Sequence, residues 1–164
     1  MPGTFDDVLK ANLEWAQSVE HPQLAAKAAR GLAVLTCMDS RIDPLGTLGL
    51  QPGDAKILRN AGARVTNDVQ RTLVLAHYLL GVNRVMVMPH TGCRMAQGDE
   101  NAVHEAVRAA GGPDTRSMTF LASPQQEEAL RADVQRLRSA PFLDPLEIGG
   151  FILDLTSGRL TQIC

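Results

Sequence analysis

A chain of 164 residues, 45% apolar and 21% charged with a net charge of −2, has the balance of one soluble globular domain. That charge argues against nucleic acid or an anionic membrane as partner, and a single Trp and a single Tyr provide no stacking platform for bases. No apolar stretch approaches the roughly 20 residues needed to cross a bilayer, the first residues lack a secretory leader, and three cysteines do not make a disulfide framework, so a cytoplasmic setting is expected.

In chain order, Phe5 to Val19 reads as an amphipathic helix, with Val8, Leu9, Leu13, Ala16 and Val19 at helical spacing and Thr4–Asp7 as a capping pair. It lies ahead of the core, so residues 1–30 are expected to form a helical arm, packed on a neighbouring subunit or on the chain's own core. Pro22 interrupts, and Leu24 to Arg30 suggests a second short helical piece. Leu32 to Leu35 is a buried strand entered through Gly31, and it ends in Cys37, Asp39 and Arg41. In extended chain those three side chains share one side.

Pro44 to Leu50 is a turn or short helix, and Ala55 to Leu58 a second strand closing on Arg59-Asn60-Ala61-Gly62. Asn67 to Leu80 is a helix capped by Asn67 with Gln70 and stopped by Gly81. Val82 to Met88 is a third strand running into His90-Thr91-Gly92-Cys93. Ala102 to Ala110 reads as helix, Met118 to Leu121 as a fourth strand, and Ser123 to Arg138 as a helix with a Ser-Pro-Gln-Gln start. Phe151 to Leu155 and Leu160 to Ile163, joined through Ser157-Gly158, form a hairpin. Residues 31–164 are thus expected to be a single α/β domain with a largely parallel sheet.

In such sheets ligands bind at the carboxyl ends of the strands. The polar ends of the first three strands therefore converge on one edge. Two thiols and an imidazole there suit zinc, and three protein ligands with one open position is the arrangement of a catalytic site. The same Cys37 and Cys93 would also suit simple burial, with His90 as a loop histidine. Asp39 lies where it can bond a water on the metal or occupy the fourth position, and Arg41 can hold it bidentately.

Cys37-Met38-Asp39-Ser40-Arg41, Arg59-Asn60-Ala61-Gly62 and His90-Thr91-Gly92-Cys93, in that order, resemble the β-class carbonic anhydrases, from about Gly31 to the C-terminus. The likeness is to the short actinobacterial-type members. It implies zinc on Cys37, His90 and Cys93, with Asp39 and Arg41 as the catalytic dyad. It also implies a four-stranded parallel β-sheet core with an added edge strand, flanked by helices, in a homodimer or larger assembly whose N-terminal helices embrace the partner subunit. The reaction expected is reversible hydration of CO2 to bicarbonate and a proton by zinc-bound hydroxide.

Two positions depart from the family's usual pattern: Arg94 follows the second cysteine and Gly92 precedes it. The Arg94 cation would narrow the entrance, attract bicarbonate, or extend into solvent. His21, His77 and His104 do not stand out as proton shuttles. The position six residues after Cys37 is Asp43, against a cysteine phosphatase, and no G-x-G-x-x-G follows the first strand, against a dinucleotide enzyme. Two alternatives remain on the same site: hydrolysis of carbonyl sulfide or carbon disulfide, and a regulatory zinc-binding homologue without turnover.

Overall fold

The computed structural model describes residues 3–19 and 23–164; His21 and Pro22 lie outside the described residues. Five strands form a sheet: β1 (Leu32–Cys37), β2 (Ala55–Asn60), β3 (Arg84–Met88), β4 (Glu147–Leu153) and β5 (Leu160–Gln162). Their order is β2-β1-β3-β4-β5, with the first four parallel and β5 returning antiparallel on β4. The helices are α1 (Asp6–Ser18), α2 (Pro44–Thr47), α3 (Asn67–Leu80), α4 (Glu100–Ala109) and α5 (Gln126–Arg138). This is the α/β architecture expected, a four-stranded parallel core with one added edge strand. No helix among the described residues is long and apolar enough to cross a membrane.

β1 lies between two parallel neighbours and is buried along its whole length, which is why its sequence is continuously apolar instead of alternating. Its pleat sends Ala33 and Leu35 into one core with Leu73 of α3 and Val134 and Leu137 of α5. Leu32 and Val34 enter a second core with Ile42, Leu50, Met88 and Leu153, covered by Leu45 and Leu48 around α2. The α1 stripe differs: among the described residues no side chain of α1 is buried, and Val8, Leu9 and Leu13 are each 60% exposed or more.

Several local expectations change. The N-cap of α1 is Phe5, without a side-chain cap, because Thr4 lies one position too early; the Asp6 carboxylate accepts from the Gly3 amide instead. Leu24 to Arg30 is not helical, since the amides of Ala28, Ala29 and Arg30 donate to the carbonyls of Leu80, Gly53 and Asp54 and are unavailable to a helix. Thr66, not Asn67, caps α3, accepting from the Val69 amide, while Gly81 ends the helix at φ +75° as expected. α5 begins at Gln126, with Gln125 and not Ser123 at the N-cap and without a side-chain cap.

The largest correction concerns the fourth strand, which is Glu147–Leu153 and not Met118 to Leu121. Leu121 stands at φ +61°, a conformation no ladder accommodates, and the amides of Phe120 and Ala122 donate to the Glu100 carboxylate at 2.9 and 2.8 Å. The first strand of the terminal hairpin therefore has two partners, β3 on one side and β5 on the other.

Glu100 thus ties an irregular segment to the start of α4. Partial burial pushes its carboxyl pKa up, but the amides of Phe120, Ala122 and Leu121, with His104 nearby, outweigh that and hold it below the usual value. A depressed folded-state pKa stabilises the fold above the unfolded pKa of about 4.3 and stops doing so as pH falls through the folded value. Glu100→Gln is therefore expected to lower the urea midpoint at pH 7 and to speed amide exchange at Phe120 and Ala122. The gap from the parent protein should close as pH falls below about 4.3; a gap that stays constant down to pH 3 contradicts this account.

Candidate metal centre

Cys37 closes β1, whereas His90 and Cys93 lie in the turn after β3, the neighbouring strand. Parallel pairing brings those ends together, and all three residues are buried. Cys37 Sγ, Cys93 Sγ and one ring nitrogen of His90 lie within 4.8 Å of one another, with the two sulfurs 3.9 Å apart. His90 Nδ1 is 2.9 Å from the Thr91 carbonyl oxygen. A carbonyl only accepts, so Nδ1 carries the proton and Nε2 the lone pair. His90 Nε2 is fully buried and, among the described residues, has no hydrogen-bond partner.

These donors fit a divalent transition-metal ion. An imidazole lone pair left unmatched in the interior is costly, and burial pushes the Cys93 thiol pKa up, with the Cys37 sulfur adding to the rise. A dication reverses both effects: it takes the lone pair and turns two mutually repelling thiolates into ligands. The Gly62 amide, 3.4 Å from Cys37 Sγ, supplies a further donor to that sulfur.

Asp39 and Arg41 meet at the mouth of this centre. Arg41 Nε donates to Asp39 Oδ1 at 2.9 Å, Nη2 to Oδ2 at 2.7 Å, and the Arg41 amide to Oδ1 at 3.0 Å. These bonds and the guanidinium charge hold the Asp39 carboxyl well below the usual carboxylate range and raise the Arg41 pKa in turn. Asp39 Oδ2 stands 3.7 Å from His90 Nε2. All five residues singled out from sequence thus fall in one place.

The end of β2 and the turn that follows it support the centre in ways their sequence did not disclose. Arg59 donates to the carbonyls of Cys37 and Asp39. Asn60 closes the 60–64 turn, its side chain both accepting from the Arg64 amide and donating to the Arg64 carbonyl. Gln126, read from sequence only as part of a helix start, donates from α5 to the His90 carbonyl at 3.0 Å. No local signal marks that contact, which spans 36 positions. Arg94 is exposed and bonds Gln97 at 3.1 Å within its own turn. His77 and His104 are engaged by the Val82 carbonyl and the Thr115 hydroxyl.

This geometry has known counterparts. A family-wide sequence profile described as "Carbonic anhydrase" matches residues 32–160. The chain is 30% identical over 161 residues to β-carbonic anhydrase 1 of Mycobacterium tuberculosis, covering 96% of each. It superposes on the crystal structure of a carbonic anhydrase from Streptococcus mutans with a TM-score of 0.92, at 34% identity over 100% of this chain and 99% of that one. The chain belongs to the carbonic anhydrase family, in its β class. Over a shorter stretch of 75 residues, 44% of this chain and 37% of the relative, it is 45% identical to a carbon disulfide hydrolase of Acidianus.

Gly62 allows its amide to face Cys37 only because it adopts φ +79°, and a Cβ there would meet Met95 Cβ at 3.0 Å. Gly62→Ala is accordingly expected to destabilise the fold by about 1–2 kcal/mol through the left-handed backbone alone, read from urea unfolding. An unchanged midpoint would show that the turn does not need its glycine.

Proposed function

We propose that this chain holds one zinc ion on Cys37, His90 and Cys93 and catalyses the reversible hydration of CO2 to bicarbonate and a proton. The observation that carries the reading is the buried Nε2 of His90, without a hydrogen-bond partner among the described residues and beside two sulfurs. Zinc bound there supplies the Lewis acidity that lets water lose a proton near neutral pH, tempered by its two thiolate ligands.

The chain's own residues then do the orienting. His90 keeps Nε2 turned inward by donating Nδ1–H to the Thr91 carbonyl. Asp39 accepts a hydrogen bond from the attacking water through Oδ2 and aims its lone pair at the carbon of CO2. Arg41 keeps that carboxylate ionised and turned, leaving it as an acceptor. The water oxygen forms the new C–O bond, one proton leaves to solvent, and bicarbonate departs. Full-length likeness to β-carbonic anhydrases favours CO2 as substrate. The 45% identity to a carbon disulfide hydrolase supports a second reading, hydrolysis of carbon disulfide or carbonyl sulfide on the same centre. Stopped-flow CO2 hydration run beside sulfide release from both sulfur compounds decides between them, and no turnover of any of the three would leave a non-catalytic zinc protein.

The assembly proposed is a homodimer or larger, with residues 1–30 as an arm on the partner and 31–164 as the α/β zinc-binding domain. The support is α1, whose apolar stripe has no buried residue. A cytoplasmic setting is proposed with it, supported by cysteines that serve a metal centre instead of a disulfide framework.

Metal analysis is expected to find one zinc per chain. Cys37→Ala, His90→Ala and Cys93→Ala should each lose it and fall to background hydration, while Cys164→Ala keeps both; full zinc in all three variants refutes the ligand set. Sedimentation is expected to give a dimer or larger, and deletion of residues 1–19 to weaken it. A fully active monomer of the intact chain at micromolar concentration would contradict the arm.

A further inference from the structure

We propose that Arg59 is a positioning residue that holds Asp39 off the metal by clamping the backbone carbonyls of Cys37 and Asp39, an inference that rests on the zinc and CO2 reading above. A carboxylate oxygen is an ordinary zinc ligand. Asp39 Oδ2, at 3.7 Å from His90 Nε2, is nearer to that ligand atom than the two sulfurs are to each other at 3.9 Å. Something must keep it from closing the coordination sphere.

Arg41 grips the carboxylate itself, but Arg41 belongs to the same turn, is 60% exposed and reaches the His90–Cys93 turn through a long 3.5 Å bond from Nη2 to the Gly92 carbonyl, so it can travel with Asp39. Arg59 does not belong to that turn. It lies on β2, where Arg59 is in register with Thr36 and Asn60 with Cys37. Its Nε donates to the Cys37 carbonyl at 3.0 Å and its Nη2 to the Asp39 carbonyl at 2.6 Å. The Met38 amide completes the attachment by donating to the Asn60 carbonyl at 2.9 Å.

One planar guanidinium joined to carbonyls two residues apart leaves the intervening peptide little freedom. It thereby sets the direction in which the Asp39 side chain leaves the backbone. An exposed arginine near the end of an edge strand would ordinarily extend into solvent, yet this one turns two of its nitrogens onto the turn that carries Asp39. A lysine offers a point charge without the fork and would hold one carbonyl at a time.

The test uses the full-length protein loaded with cobalt(II) in place of zinc, titrated with thiocyanate, a small anion that competes for the open position, and followed by visible absorption. Arg59→Gln is expected to retain cobalt and to bind thiocyanate at least fivefold more weakly than the parent, with kcat/KM for CO2 of the zinc form falling in step. Arg59→Lys should fall between the two. The decisive arm adds Asp39→Asn to Arg59→Gln: with the competing carboxylate removed, thiocyanate affinity should return to that of Asp39→Asn alone.

A change under fivefold in Arg59→Gln overturns the proposal. So does weakened binding that persists in the double variant, because the effect would then not run through Asp39. Loss of cobalt from both Arg59→Gln and Arg59→Lys also overturns it, making Arg59 a purely structural residue. Failure of the functional reading is seen separately, in a parent protein that holds no zinc or does not hydrate CO2.

Discussion

Two sulfurs and an imidazole nitrogen share a buried space within 4.8 Å of one another, and that crowding of unmatched lone pairs sets the terms for the rest of the molecule. Without a cation, Nε2 has no hydrogen-bond partner among the described residues, and burial presses the Cys93 thiol towards its neutral form. With one, the same burial strengthens the binding, because a low-dielectric surrounding screens the ion from its ligands less than water does. The surrounding structure brings these three atoms together and keeps their orientation when the ion is present.

Parallel topology does the first part. β1 and β3 are hydrogen-bonded neighbours running the same way, so Cys37 and the His90–Cys93 turn emerge on one edge although 53 positions separate Cys37 from His90. The sheet also explains why the site is buried without being central to either core. Leu35 and Val87 pack towards α3 and α5, while Cys37, Met88 and Cys93 belong to the cluster on the opposite face, beneath the short α2. That face has the thinner cover, and α1, the long apolar-striped helix, is not buried on it or elsewhere within the chain.

The second part falls to hydrogen bonds on backbone carbonyls. Thr91, Gln126 and Arg59 do not present side-chain atoms to the centre as ligands. The Thr91 carbonyl fixes the His90 tautomer, Gln126 ties the His90 carbonyl to α5, and Arg59 ties the Cys37 and Asp39 carbonyls to β2. The turns that carry His90 and Asp39 are each referred back to a helix or strand in this way, the first to α5 and the second to β2. The Asp39–Arg41 pair is held more loosely, bonded bidentately within its own turn, linked outward by the 3.5 Å bond from Arg41 Nη2 to the Gly92 carbonyl, and partly open to solvent.

Chemistry of the site was legible in the sequence because its residue types are out of place there. A thiol, a carboxylate and a guanidinium ending an apolar run, and a His-x-x-Cys ending another, are identifiable by period and composition alone. α3 was equally legible, since its stripe is local and Gly81 can supply the left-handed stop. The fourth strand was not. Met118 to Leu121 has strand-like composition, but Glu100, some 20 positions upstream, takes the amide of Phe120 and that of Ala122 just past the segment, and the ladder place beside β3 goes to a segment with two glycines, Glu147–Leu153. The arginine roles were hidden for the same reason. Whether Arg59, Arg64 or Arg94 grips a carbonyl, a buried carboxylate or a neighbouring glutamine depends on what folding brings within about 3 Å. Residue chemistry and local period were therefore set by the sequence read in one dimension, whereas the partners of long, flexible polar side chains and the pairing of strands were decided by tertiary contacts that no local pattern encodes.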